Sequence, residues 1–128
     1  MSMEENLIIE AWDDGDGRST IEDFIASLPV ETQNRIIKKN EHFQQYTISR
    51  FKNGKHLEKI RGEKFELWEL KYPFHSPPYR AVCIIRNSKI ILLEMFSGSG
   101  SHGNVLKYVP RAVQRAQEWD QKNPISHL

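Results

Sequence analysis

Five cationic side chains, Lys59, Arg61, Lys64, Lys71 and Arg80, punctuate the segment KIRGEKFELWELKYPFHSPPYR around two runs with the composition of β-strands. Held on a sheet, such side chains neutralise several phosphates at once and release their counterions, so the segment points to a phosphate-rich partner. Arginine suits this work best, because its planar guanidinium gives two parallel hydrogen bonds to phosphate oxygens and stays charged. Histidine supplies complementary chemistry, since imidazole exchanges a proton near neutrality. His102, in the glycine- and serine-rich run Ser97 to Gly103, is a candidate acid–base group on those grounds, although a lone histidine on such a loop commonly has no special role. His75, beside Pro77 and Pro78, is a weaker candidate.

With 128 residues, 38% hydrophobic and 27% charged, the chain is expected to form one domain, 1–128, with a core sufficient to fold without staples. A single cysteine, Cys83, rules out an internal disulfide and a cysteine-based zinc site, and its place in the apolar run Ala81 to Ile85 predicts a buried, inert thiol. No HxxxH spacing, carboxylate cluster or glycine-rich nucleotide loop occurs, so neither a metal nor an organic cofactor is expected. No apolar stretch is long enough to span a membrane, and the start MSMEENLIIE lacks the cationic region of an export signal. These features predict a soluble, cytoplasmic protein. The net charge of +1 hides an asymmetry: Glu4, Glu5, Glu10, Asp13, Asp14 and Asp16 crowd the start, and basic residues dominate from Arg35 onward.

The elements that must position these groups follow from period and punctuation. Leu7 to Trp12 reads as a strand closed by the turn-forming run Asp13 to Gly17. Ser19 and Glu22 have capping-box spacing, and Ile21, Phe24, Ile25 and Leu28 trace one helical face behind them. Pro29 suits the first turn of a second helix reaching about Tyr46, with a Glu31–Arg35 pair at i+4 and a cationic side of Arg35, Lys38 and Lys39. That side reads more readily as a solvated face than as a ligand contact.

Thr47 to Gly62, polar and basic with an Asn53-Gly54 turn signal, reads as a loop. Phe65 to Tyr72 is strand-like, with Trp68 expected in the core, and prolines 73, 77 and 78 enforce a loop after it. Tyr79 to Ile85 and Ile90 to Phe96 form a hairpin of central strands, in which Tyr79 faces the core opposite Arg80. Val109, Ala112, Val113, Ala116 and Trp119 stripe a last helix begun by Pro110. The order β, α, α, β, β, β, α predicts an α+β fold: a small, mostly antiparallel sheet with two N-terminal helices and a C-terminal helix.

Three fragments carry a family likeness: GKHLEKIRGEKFELWELKY, then PYRAV, then IILLEMF. In order and spacing they resemble the RelE/ParE toxin superfamily, and within it the HigB-like branch with its phage-derived members, whose pattern runs roughly K-x-L-x-G, (L/Y)-W-E-L-R, Y-R-V and a hydrophobic strand ending in Phe. The likeness covers about Leu7 to Trp119 in element order, with its specific motifs between Lys59 and Phe96. It implies a RelE-like fold and the toxin of a type II toxin–antitoxin pair, with a cognate antitoxin, often of helix-turn-helix type, as partner. HigB- and RelE-like members bind the ribosome and cut messenger RNA, whereas the ParE-like branch inhibits gyrase.

By the same resemblance Arg80 falls on the Arg of the Y-R motif, at the scissile phosphate, and Lys71 closes the E-L-R motif. Lys59 and Arg61 fall in the basic stretch before it. Glu69 matches the acidic member, best read as an ion-pair partner of a basic neighbour. Metal-independent RNA cleavage needs a base for the 2′-hydroxyl, an acid for the leaving oxygen and fixed cations for the phosphate. The catalytic candidates are therefore Arg80, Arg61, Lys71 and His102, with Lys59, Lys55, Lys64 and Lys107 as RNA-binding candidates. Tyr108 can approach the site, stack on a base or simply pack.

The family's lysine-rich segment after the hydrophobic strand is replaced here by Ser97 to Gly103, leaving only Lys107 in that connection. Two alternatives therefore stand beside the nuclease: a ParE-like inhibitor of gyrase, and an inactive toxin-like scaffold that retains antitoxin binding. Under the nuclease reading, Arg80→Ala is expected to abolish toxicity at little cost in stability.

Overall fold

The computed structural model describes residues 4–17, 19–74, 77–98 and 105–124. The observed elements are β1 (Ile8–Ala11), α1 (Thr20–Ala26), α2 (Val30–Phe43), α3 (Ile48–Lys52), β2 (Leu57–Lys59), β3 (Trp68–Tyr72), β4 (Tyr79–Arg86), β5 (Lys89–Ser97) and α4 (Val109–Lys122). One five-stranded sheet in the order β1-β5-β4-β3-β2 joins them, antiparallel except where β1 runs parallel to β5. The fold is thus α+β with a mostly antiparallel sheet. No helix of the described residues is long and apolar enough to cross a membrane.

The two faces of the sheet are covered differently. Ile21 of α1, Ile36 and Phe43 of α2 and Ile48 and Phe51 of α3 pack with Leu70, Tyr72, Tyr79, Ala81, Cys83 and Leu92 on one face. Val109, Ala112 and Ala116 of α4 pack with Val82, Ile84, Ile91, Leu93 and Phe96 on the other. Each fully buried large side chain, such as Phe43 or Ile91, contributes about 1.5–3 kcal/mol by leaving water. Central position explains the near-continuous hydrophobicity of β4 and β5, which are buried on both sides over most of their length. Cys83 is fully buried, and burial pushes its thiol pKa up, away from thiolate chemistry.

Local signals explain most boundaries. The Ser19 hydroxyl accepts the Glu22 N–H at the start of α1 and donates to the Trp12 carbonyl, tying the helix to the end of β1. Asn87 turns the β4–β5 hairpin with φ 56°, in the left-handed region that asparagine tolerates. Two expectations fail. Thr47 to Gly62 is not a bare loop: Thr47 caps α3 by accepting the Arg50 N–H, and Leu57–Lys59 adds the edge strand β2 against β3. The Glu31–Arg35 pair does not form among the described residues, and Arg35 instead lies over the Phe74 ring at 5.8 Å.

Candidate functional site

Strand register sorts the cationic candidates. Lys71 of β3 lies directly opposite Arg80 of β4, so their side chains share the α4 face. Arg80 is 6% exposed, and its Nε donates to Glu69 Oε2, itself 2% exposed, making a buried ion pair across the two strands. Lys71 Nζ donates to Glu58 at 2.8 Å on the neighbouring edge strand. Arg80 also lies 5.9 Å from the ring of its cross-strand neighbour Phe96, on which Tyr108 stacks at 4.1 Å and 9°. An arginine, two stacked rings and a lysine therefore adjoin at one end of the sheet.

Arg61 is not part of this group. It follows Ile60, whose N–H donates to the Leu67 carbonyl, four residue steps along β3 and its lead-in from Lys71, or roughly 13 Å at about 3.3 Å per residue. The expected joint action of Arg61 and Arg80 on one phosphate is therefore not what the register provides. Lys64 is exposed in the same connection. Lys59 opposes Trp68, which packs on the α1–α3 side, and pairs with Glu66 at 3.4 Å. Lys55 is exposed in the turn after α3. His102 and His75 lie outside the described residues.

The expectation that Arg80→Ala leaves stability nearly unchanged also needs correction. Removing one member of a buried pair strands the other charge in a medium that solvates it poorly. Glu69 is that stranded partner here.

An irregularity in β5 builds a second part of the site. Val82 pairs with Glu94 but Cys83 pairs with Leu92, so Leu93 is an extra residue in the ladder. Such a bulge re-aims side chains. Leu93 and its successor Glu94 both reach the α4 side: Leu93 into the core there, Glu94 to within 3.0 Å of Arg115 Nη1 and 3.7 Å of Arg111 Nε. Arg115 Nη1 donates to the Leu93 carbonyl at 2.7 Å, and the guanidinium lies 4.5 Å over the Trp12 ring. This holds Arg115 rigidly, whereas the Arg111 side chain is 69% exposed.

Glu94 opens onto a hollow of about 460 Å³ beside the start of α4, lined also by Lys107, Tyr108, Pro110, Arg111 and Gln114. Although Glu94 is 8% exposed, no N–H is aligned on its buried Oε1, which takes no hydrogen bond among the described residues. Desolvation raises its pKa above the usual carboxylate value, against the opposing pull of Arg115 and Arg111. Of the lysine candidates, Lys107 borders this hollow, and Tyr108 links it to Phe96 and Arg80.

Glu94, Arg111 and Arg115 are absent from the sequence-derived candidates. Their signals are present nonetheless: Glu94 is a lone carboxylate inside the apolar run Ile90 to Phe96, and Arg111 and Arg115 stand four apart on one side of a helix. No spacing rule joins the two segments before they are folded. Compared with known proteins, the chain matches no family model, no curated protein and no solved structure.

Proposed function

We propose that this chain is the toxin of a type II toxin–antitoxin pair, a HigB-like member of the RelE/ParE superfamily that cuts messenger RNA on the ribosome in the cytoplasm without a metal. The observation that carries the reading is the alignment on one sheet face of Lys71, Arg80 and the stacked Phe96 and Tyr108 rings, continuing into the hollow with Lys107, Arg111 and Glu94. Arg80, buried and paired with Glu69, braces this face instead of meeting the phosphate as its motif position implied, whereas Lys107 and Arg111 at the hollow can stabilise charge on a phosphate and the Tyr108 ring lining it offers a base a platform. A carboxylate adds the proton-transfer group that an arginine-only site lacks.

Expression of the chain without an antitoxin tests this directly. Translation should stop, and sequencing of RNA 5′ ends should reveal new termini within translated messages. Replication arrest and DNA damage without new termini would instead indicate a gyrase-type inhibitor, and continued growth would indicate an inactive scaffold. The antitoxin, a helix-turn-helix protein under this reading, should co-purify with the chain and suppress its toxicity.

A further inference from the structure

We infer that Glu94 is the proton acceptor of the cleavage step, held by Arg115 and working beside Arg111, which receives the scissile phosphate in the hollow at the start of α4. This rests on the proposed nuclease function and assigns its chemistry to residues outside the motif that suggested it.

The geometry separates three roles. Arg115 is buried, committed to the Leu93 carbonyl and braced over Trp12, so it is a positioning residue that fixes the Glu94 carboxylate. Arg111 reaches Glu94 at 3.7 Å yet leaves most of its side chain in solvent, free to turn a planar pair of donors towards an anion. Glu94 lines the hollow with its Oε1 sealed from solvent and turned to Arg115 and Arg111, which leaves Oε2, outside both ion pairs, as the acceptor for a hydroxyl. The amino end of α4, a helix of 14 residues, adds a favourable field for a phosphate there. Desolvation raises the carboxyl pKa towards the range where a general base works best near neutrality.

The step balances without a co-reactant beyond water. The Glu94 carboxylate takes the 2′-hydroxyl proton as the 2′-oxygen bonds to phosphorus. The bond from phosphorus to the 5′-oxygen breaks, and the leaving alkoxide takes a proton from water in the hollow. The hydroxide so formed recovers the proton from the Glu94 carboxylic acid. The products are a 2′,3′-cyclic phosphate and a 5′-hydroxyl, and the carboxylate is regenerated.

Glu94→Gln tests the inference, because glutamine keeps the shape and cannot accept the proton. On ribosomes programmed with a defined message, the variant should co-sediment with ribosomes like the parent and cleave about 10²–10⁴-fold more slowly. The parent's rate should fall on its acid side with a midpoint above the ordinary carboxylate pKa of 4.5, and the variant's residual rate should lack that fall. The charged and titratable groups that face Glu94 are Arg111 and Arg115 of α4, with Lys107 and Tyr108 lining the same hollow. Glu94→Asp, which shortens the reach but keeps the base, should restore part of the rate.

A parent that cleaves and a Glu94→Gln variant that cleaves equally, with the same pH limb, would overturn the assignment and leave the nuclease reading standing. A parent that produces no cyclic-phosphate ends on ribosomes would defeat the nuclease reading, and this inference with it.

Discussion

Arg80 and Glu94 are buried charges on the same sheet face, and burial makes opposite demands on them. Arg80 is paired with Glu69, so truncation to Ala should destabilise the fold by about 3–5 kcal/mol, the cost of an uncompensated buried carboxylate. Urea denaturation measures this. The paired replacement of Arg80→Met with Glu69→Leu should recover most of the loss, because both charges leave together. Under the proposed toxin reading, loss of toxicity in the fold-competent double variant would then report on the activity itself, which loss in Arg80→Ala alone cannot do. No recovery in the double variant would mean that Arg80 holds the fold through neighbours other than Glu69. Glu94 behaves differently, since its carboxyl pKa is raised by desolvation. The folded state binds that proton more tightly than the unfolded chain, so this group's contribution is fully present below the ordinary carboxylate pKa and is lost as pH rises through the raised value. Glu94→Gln should remove that loss. Unfolding midpoints compared from about pH 4 to about pH 8 should show the variant gaining on the parent as pH rises; parallel curves would contradict the raised pKa.

At the level of elements, α4 fixes the distance between its arginines and the sheet. Ala112 and Ala116 are fully buried against β4 and β5, and their small size lets the helix lie close enough for Arg111 and Arg115 to reach Glu94. Ala112→Leu should therefore overpack this layer, costing about 1–3 kcal/mol in a denaturant titration and, under the proposed nuclease reading, reducing cleavage by more than the lost folded fraction explains. Unchanged stability would mean that the helix is free to move outwards. The apolar stripe of α4, the capping at Ser19 and the hairpin at Asn87 were legible in the chain because each is written in residues a few positions apart. The α3 helix and the β2 strand were not, because five and three residues are too short to display a period. The parallel seat of β1 on β5 and the bulge at Leu93 were not legible either. Both depend on which strand lies alongside, and only the folded register decides that. The site divides in the same way: Lys71 and Arg80 belong to one hairpin-like pair of neighbouring strands, whereas Glu94 meets Arg115 only because a bulged strand and a distant helix converge.

On the scale of the whole molecule, two sets of cations stand out among the described residues. Lys59, Lys71, Arg80, Arg86, Lys89, Arg111 and Arg115 each stand within ion-pair distance of a carboxylate. Arg35, Lys38, Lys39, Arg50, Lys52 and Lys55, on α2, α3 and the turn after α3, make no ion pair among the described residues. Their mutual field is felt at His56, whose pKa is lowered first by desolvation and then by Lys39, Lys55 and His42. Aromatic rings are interleaved with them: Lys39 lies 5.9 Å over Phe43, Lys52 lies 5.3 Å over Trp68, and Arg50 lies 5.9 Å over Tyr46. Unpaired surface cations hold condensed anions only loosely and exchange them readily for a polyphosphate backbone, with a dependence on salt that reports how many phosphates are neutralised. If this helical side carries the RNA while the opposite side performs the cleavage, then Lys38→Gln, Lys39→Gln and Lys55→Gln combined should weaken association with RNA and flatten the plot of log affinity against log salt by about 2–3 units, at about 0.7–0.9 for each phosphate no longer neutralised. Cleavage at saturating protein should survive, because none of the three borders the hollow at Glu94. An unchanged salt slope would show that these cations serve only as a solvated helix face, and would move RNA binding wholly to the side of the sheet that carries Lys71, Arg80 and Lys107.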